Sequence, residues 1–274
     1  MTGALGAQAL TVDYGGRRAL HDVTVRVRPG EVVAVVGGDG AGKSTLLRAL
    51  VGEVVPDAGS VTAPASERIG FLPASAGSWA ALTVRQNLDF AGGVYGLSGQ
   101  RLTERVDELL QHAALVGAAD RPASQLSGGM RRKLGFCMAV IHEPELLVLD
   151  EPTTGVDPVS RVDLWRLVAQ TAARGTAVVM STTYLDEAER AASLTVLDGG
   201  ATLAQGSVDD VLASVPGTIT EAAAAIRHAW AWRRGRDVHE LWPDGEPAQG
   251  TVVQPDLEDV VVALSLLHRS GVAA

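Results

Sequence analysis

The chain has 274 residues, of which 46% are hydrophobic and 4% aromatic, and a formal net charge of −9. Such a length holds one sizeable α/β domain plus a small accessory one, and such an apolar content excludes wholesale disorder. The acidic balance argues against a nucleic-acid-coating protein, and a single cysteine, Cys137, excludes an intrachain disulfide and fits a reducing compartment.

In chain order, Ala9–Tyr14 and Val23–Val27 read as short strands, and Arg28-Pro29-Gly30 as a turn. Glu31–Val36 is a β-branched apolar run, expected of a strand covered on both faces. A glycine-rich loop and a helix from about Ser44 to Val51 follow, then a turn at Pro56–Gly59 and a strand at Ile69–Leu72. From Thr83 to Ile141 the pattern is helical and strand-free, with a break around Gly96–Gly99, so this stretch reads as an inserted helical subdomain at about 83–141. Leu146–Leu149, Thr176–Met180 and Leu194–Leu197 read as buried strands, alternating with helices at Pro158–Ala173 and Tyr184–Ala192. Alternation of this kind predicts a mostly parallel sheet with helices on both faces. Beyond about Pro216 an Ala-rich helix (Glu221–Ala229), a Trp/Arg cluster and a last apolar helix from Pro255 are expected. The organisation predicted is therefore 1–216 as the main domain and 217–274 as a C-terminal α+β accessory domain. The N-terminus lacks the pattern of a signal peptide, and no segment approaches the roughly 18–20 apolar residues of a membrane-spanning helix, so a membrane role is expected to need a partner.

Gly37-Gly38-Asp39-Gly40-Ala41-Gly42-Lys43-Ser44 fits GxxxxGK[ST] between a predicted strand and a predicted helix. Glycines let successive backbone N–H groups face phosphate oxygens, Lys43 reaches the β- and γ-phosphates, and Ser44 ligates Mg²⁺. ATP or GTP binding follows. The apolar strand ahead of Asp150-Glu151 ends at the ligand edge of such a sheet. There Asp150 can hold Mg²⁺ and Glu151 can deprotonate the attacking water, which together with Lys43 makes up the predicted catalytic set.

Leu126-Ser127-Gly128-Gly129-Met130 reads physically as a helix cap whose free N–H groups form an anion site. With the phosphate loop before it and the acidic strand after it, the segment resembles the signature motif of ABC ATPases. The resemblance runs from about residue 5 to about residue 210. It implies a P-loop NTPase fold with an antiparallel β edge, and a dimer in which Ser127, Gly128 and Gly129 close on the γ-phosphate held by the other protomer. It also implies that Thr45 joins the nucleotide-binding loop and that Thr154–Pro158 touches the opposite site. Tyr14 stands where the family has an aromatic that stacks on adenine, a position that a half-buried strand tyrosine would fill equally. Pro255–Val260 looks like the C-terminal segment of bacterial drug- and polysaccharide-export ATPases. Transmembrane permease subunits, a second ATP-binding subunit and a place on the cytoplasmic face of the membrane are implied as well, with no nucleic acid.

Two positions depart from the family. Ala74 stands where Gln or Glu is usual, and Thr183 where a His contacts the γ-phosphate. Thr183 is expected instead to cap the following helix with Asp186. Losing one such contact to developing charge costs about 10²–10³ in rate, so this chain's own site is expected to bind ATP and turn it over slowly. The intact signature then suits a heterodimer, with a low-activity homodimer as the other arrangement. Soluble ABC ATPases acting on ribosomes or DNA, and a nucleotide-sensing regulatory subunit, are the competing readings. The cluster of Arg227, Trp230, Trp232, Arg233, Arg234, Arg236 and Trp242 reads either as an anionic-ligand surface or as packing beside a solvated basic face.

Overall fold

The computed structural model describes residues 4–75 and 77–271. Strands β1 (Leu5–Tyr14) and β2 (Arg17–Val27) form an antiparallel hairpin. Gly15 and Gly16 close it with φ of 55° and 89°, the backbone that a two-residue hairpin loop demands. Next come β3 (Val32–Val36), α1 (Lys43–Leu50), β4 (Ala58–Thr62) and β5 (Ile69–Leu72). The helical stretch contains α2 (Val84–Val94), α3 (Gly99–His112) and α4 (Gly128–Val140). The chain then returns to sheet and helix in turn: β6 (Leu146–Leu149), α5 (Pro158–Ala173), β7 (Ala177–Thr182), α6 (Leu185–Ala188), β8 (Ser193–Asp198) and β9 (Ala201–Gly206). After α7 (Val208–Leu212) lie β10 (Gly217–Ala222), β11 (Ala231–Arg234), β12 (Asp237–Pro243), β13 (Thr251–Val252) and α8 (Leu257–Ser270).

The main sheet has the order β5-β6-β7-β3-β8-β9, parallel throughout except for the antiparallel edge strand β9. Its period-2 alternation divides the core in two. Val33, Val35, Leu146, Val148 and Val179 pack toward α1 and the β1–β2 layer, whereas Ala34, Val36, Leu147, Leu149, Val178 and Met180 pack toward the other helices. With both faces covered, every residue of β3 and β6 is buried, which is why these strands are unbroken aliphatic runs. The register aligns Leu72 with Leu149, Leu149 with Met180 and Val36 with Thr182. Hence the phosphate loop, the Pro73–Ala74 segment, Asp150–Glu151 and Thr183 all leave the sheet at one edge.

Several expectations need correction. Glu221–Ala229 is not a helix: its start lies in β10, paired with β12 from Gly217↔Pro243 to Ala222↔Val238, and Ile226 N–H is held by Glu240 at 3.0 Å. Helix propensity is worth under about 1 kcal/mol per residue, so the ladder that takes Glu221 and Ala222 and the anchor at Ile226 leave the alanines between them without a helix. The helix expected over Tyr184–Ala192 is only the four residues of α6. Short elements β4, β9 and α7 carry too few patterned residues to announce themselves in the sequence. Residues 217–252 supply a separate antiparallel sheet, β11-β12-β10-β13, while Leu257, Val260 and Leu264 of α8 join the main core cluster.

Candidate functional site

Loop 37–42 turns β3 into α1 through three glycines in the left-handed half of the map, at φ of 153° (Gly37), 75° (Gly40) and 105° (Gly42). Sterics forbid anything larger at two of them. A Cβ on Gly37 would stand 2.2 Å from Leu197 O, and one on Gly42 would stand 2.7 Å from Ala19 O. Lys43 is buried, its Nζ donating to Gly37 O (2.8 Å) and Gly38 O (3.1 Å) and lying 3.6 Å from Glu151 Oε1. This loop floors a cleft of about 520 Å³ lined by Tyr14, Asp39, Lys43, Ser44, Thr45 and Glu151, within the range of small-ligand sites. Gly40, Ala41 and Gly42 line it as well, whereas Gly37 and Gly38 lie beneath, holding the lysine. Tyr14 is 48% exposed at the cleft's rim. That exposure fits a stacking surface and a half-buried strand tyrosine alike.

Glu151 has φ of 46°, an uncommon conformation for a non-glycine residue and one that survives only when its surroundings hold it. They do so from both sides. Glu151 N–H donates to Ser181 Oγ (2.9 Å), and Arg132 Nη2 donates to Glu151 O (3.2 Å). Ser181 in turn donates to Asp150 Oδ1 at 2.7 Å, fixing the buried carboxylate at the end of β6. Thr154 Oγ1 donates to Glu151 Oε2 at 3.1 Å, leaving Oε1 toward Lys43.

Thr183 is exposed and does not cap α6, contrary to expectation: the N-cap is Tyr184, without a side-chain bond. The local hydroxyl bond comes one residue earlier, where Thr182 Oγ1 accepts from Tyr184 N–H (3.0 Å) and donates to Glu187 Oε2 (3.1 Å). Asp186 is drawn away to Arg161, with both oxygens at 3.1 Å. Glu187 is buried at a hub, taking Thr153 Oγ1 (2.7 Å) and Arg161 Nε (2.8 Å) besides Thr182. The segment after Glu151 and the segment at Thr183 are thereby tied together.

Ser127 caps α4 as expected, its Oγ accepting from Met130 N–H at 3.2 Å, and it is exposed together with Gly128. Gly129 is buried against the start of α5, where a Cβ would meet Ser160 Oγ at 2.5 Å. There Asp157 caps α5 by accepting from Ser160 N–H (3.0 Å), and that bond holds its carboxyl below the usual range. None of Ser127, Gly128 and Gly129 lines the phosphate-loop cleft.

Motif reading missed other residues of the site. Arg17, the cross-strand partner of Tyr14, lines the cleft, with a guanidinium nitrogen 3.8 Å from where a Gly40 Cβ would stand. The Gly199–Gly200 turn braces the loop from behind, with Gly200 N–H donating to Ala41 O (3.1 Å) and His21 N–H to Gly200 O (2.8 Å). A Cβ on Gly199 would stand 3.5 Å from His268 of α8, whose Arg269 grips Asp198 with two contacts of 3.1 Å. An alternating pattern could have suggested the Tyr14–Arg17 pairing; no local signal announces the brace. Most of the Trp/Arg cluster is engaged in packing, with Arg233 and Arg236 left exposed: Trp242 Nε1 donates to Thr220, Trp232 Nε1 to Asp259, Arg227 stacks on Trp230 and Trp242, and Arg234 pairs with Asp256 and Glu258.

Among the described residues no group of three or more His, Cys, Asp or Glu side chains could hold a metal by itself. Mg²⁺ does not require such a group, being typically bound through one or two protein oxygens plus the phosphates of its nucleotide. Ser44 and Asp150 are oxygen donors of that kind, and the ion would neutralise the β- and γ-phosphates.

The chain's residues 20–154 match the family model described as ABC transporter. It is 39% identical over 225 residues to the daunorubicin resistance ATP-binding protein DrrA3 of Streptomyces coeruleorubidus, covering 76% of this chain and 71% of that one. The chain belongs to the ABC transporter family. Within the family it is an ATP-binding subunit, an ATP hydrolase that works with Mg²⁺. This ABC ATPase is also 34% identical over 270 residues to the Nod factor export ATP-binding protein I of Ralstonia nicotianae, covering 94% and 78% of the two chains. Its fold matches a solved ATP-binding subunit of an ABC transporter with a TM-score of 0.70 at 30% identity, over 76% of this chain and 91% of that one. A dimeric ATP-binding cassette solved with ADP and Pi shares the fold, with a TM-score of 0.67 at 22% identity over 74% and 98%.

Proposed function

We propose that this ABC ATPase powers export through separate transmembrane permease subunits, and that it closes around ATP with a second ATP-binding subunit. One observation carries the proposal. Ser127 at the start of α4 is exposed and lies outside the cleft that Lys43 and Glu151 line, so its N–H groups are available to a nucleotide held by another chain. In this reading Tyr14 stacks on adenine, loop 37–45 holds the phosphates, Asp150 and Ser44 take Mg²⁺, and Glu151 accepts the proton of the attacking water.

An apolar groove of about 310 Å³ between β5 and α2 supports the permease. It is lined by Phe71, Pro73, Trp79, Phe90, Val94 and Tyr95, and the last four leave large side chains exposed. Buried Asn87 fastens the approach to α2, accepting from Trp79 N–H and donating to the carbonyls of Trp79, Leu82 and Thr83. Among the described residues no helix is long and apolar enough to cross a membrane, and in this reading the subunit sits peripherally on the cytoplasmic face through its permease. Residues 83–141 act as the helical subdomain and 217–274 as the accessory domain.

The slow site follows from Ala74 and Thr183, neither of which offers the oxygen or imidazole usual in the family, and it favours a heterodimer over a homodimer. Restoring both, Thr183→His with Ala74→Gln, is expected to raise steady-state turnover at least tenfold, about 1.4 kcal/mol of barrier. The gain should vanish when Glu151→Gln is added. Vigorous hydrolysis by the unmodified chain alone overturns the slow site. Purification from detergent-solubilised membranes should bring down permease subunits; recovery with ribosomes instead overturns the transport reading.

A further inference from the structure

Ala74 leaves the loop after β5 without a side chain able to reach the catalytic carboxylates. The loop is nonetheless fastened to them. Arg132, in the second turn of α4, is 8% exposed and spends its guanidinium on three carbonyls. Nη1 donates to Pro73 O (3.0 Å), and Nη2 donates to both Ala74 O (2.5 Å) and Glu151 O (3.2 Å). Burial pulls the pKa of Arg132 below its ordinary value, while the charges of Asp150 and Glu151 push it back up. Keeping a guanidinium there is costly unless its donors are satisfied, and a planar fork is the side chain that can serve several carbonyls at once.

The three acceptors belong to two segments with different duties. Pro73 lines the groove beside Trp79 and Phe90, whereas Glu151 carries the carboxylate that faces Lys43. Glu151 sits at a positive φ and is held by Ser181 on its N–H side and by Arg132 on its carbonyl side. Movement of the Pro73–Ala74 carbonyls would reach the Glu151 peptide through one rigid group.

We propose that Arg132 is a positioning residue for ATP hydrolysis, linking the backbone of the Pro73–Ala74 loop to the backbone of Glu151. The inference rests on the reading that Glu151 activates the attacking water. It assigns to a guanidinium and two carbonyls the link between groove and carboxylate that the residue at 74 does not make here.

The test compares wild type, Arg132→Lys and Arg132→Gln as full chains, each checked for cooperative thermal unfolding. ATP affinity is read by equilibrium binding, and hydrolysis by single turnover with protein in excess. Arg132→Gln is expected to leave Kd within about twofold and to slow hydrolysis at least tenfold. Arg132→Lys, which keeps the charge and can hold part of the carbonyl set, is expected to recover part of that loss. A folded variant that hydrolyses at the wild-type rate, or a parallel fall in affinity and rate, overturns the positioning role. So does a wild-type chain that binds ATP but never hydrolyses it, alone or in its assembly. A wild-type chain that does not bind ATP overturns the functional reading itself.

Discussion

Helices α1 and α4 both begin at glycine-rich segments and present free N–H groups at their first turns, yet their surroundings differ. Around α1 the chain supplies a buried lysine, three glycines in left-handed geometry, a facing carboxylate and a bracing turn. Around the start of α4 it supplies a serine cap and packing against α5, and leaves Ser127 and Gly128 exposed. An anion site with a built-in cation and walls can hold a ligand alone; one with only a helix end needs the rest from elsewhere. On the proposed function, the contrast separates a site that is owned from one that is lent.

Removing the owned cation should have the largest effect. Lys43→Ala is expected to abolish measurable ATP affinity in equilibrium binding, and near-normal affinity would reverse the assignment of the cleft. The lent site should respond in the opposite sense. Ser127→Arg is expected to leave this chain's own ATP affinity unchanged while cutting hydrolysis at the partner's site at least tenfold. Unchanged partner activity would break the comparison.

A smaller effect tests the rim. Tyr14→Ala should weaken ATP binding by about 1–3 kcal/mol, on the scale of base–aromatic stacking, and an unchanged Kd would make Tyr14 a strand residue only. The smallest concerns α2, whose Thr83 cap accepts Gln86 N–H while Gln86 returns the contact. Thr83→Ala should cost about 1 kcal/mol of stability, seen as a lowered Tm, and leave ATP affinity alone. A loss of affinity there would show that the two helix ends are not independent.

How legible these features were in the sequence follows from how local their causes are. The loop at 37–44 and the acids after Leu146–Leu149 could be read because spacing and burial pattern sit within a few consecutive residues. Ser127 was readable as a cap for the same reason. Gly200 and Arg132 were not, since each acts on a partner brought to it by the fold. Thr183 misled because its neighbour Thr182 and the distant Arg161 compete for the groups a cap would use. Glu221–Ala229 misled because alanine's weak preference for helix yields where both ends of the run are held, Glu221 and Ala222 by β12 and Ile226 N–H by Glu240.

The brace behind the phosphate loop bears on how the protein is made. Ala41 and His21 emerge from the ribosome well before the Gly200 backbone that bonds both, and Arg269, which secures the adjoining Asp198, follows later still. Early-synthesised segments tend to fold first, yet here a nascent chain can carry the whole GxxxxGKS segment without the turn that supports it. Its loop closures are long and are formed late, a topology that slows folding. Competence to grip nucleotide therefore waits on segments made long after the loop itself.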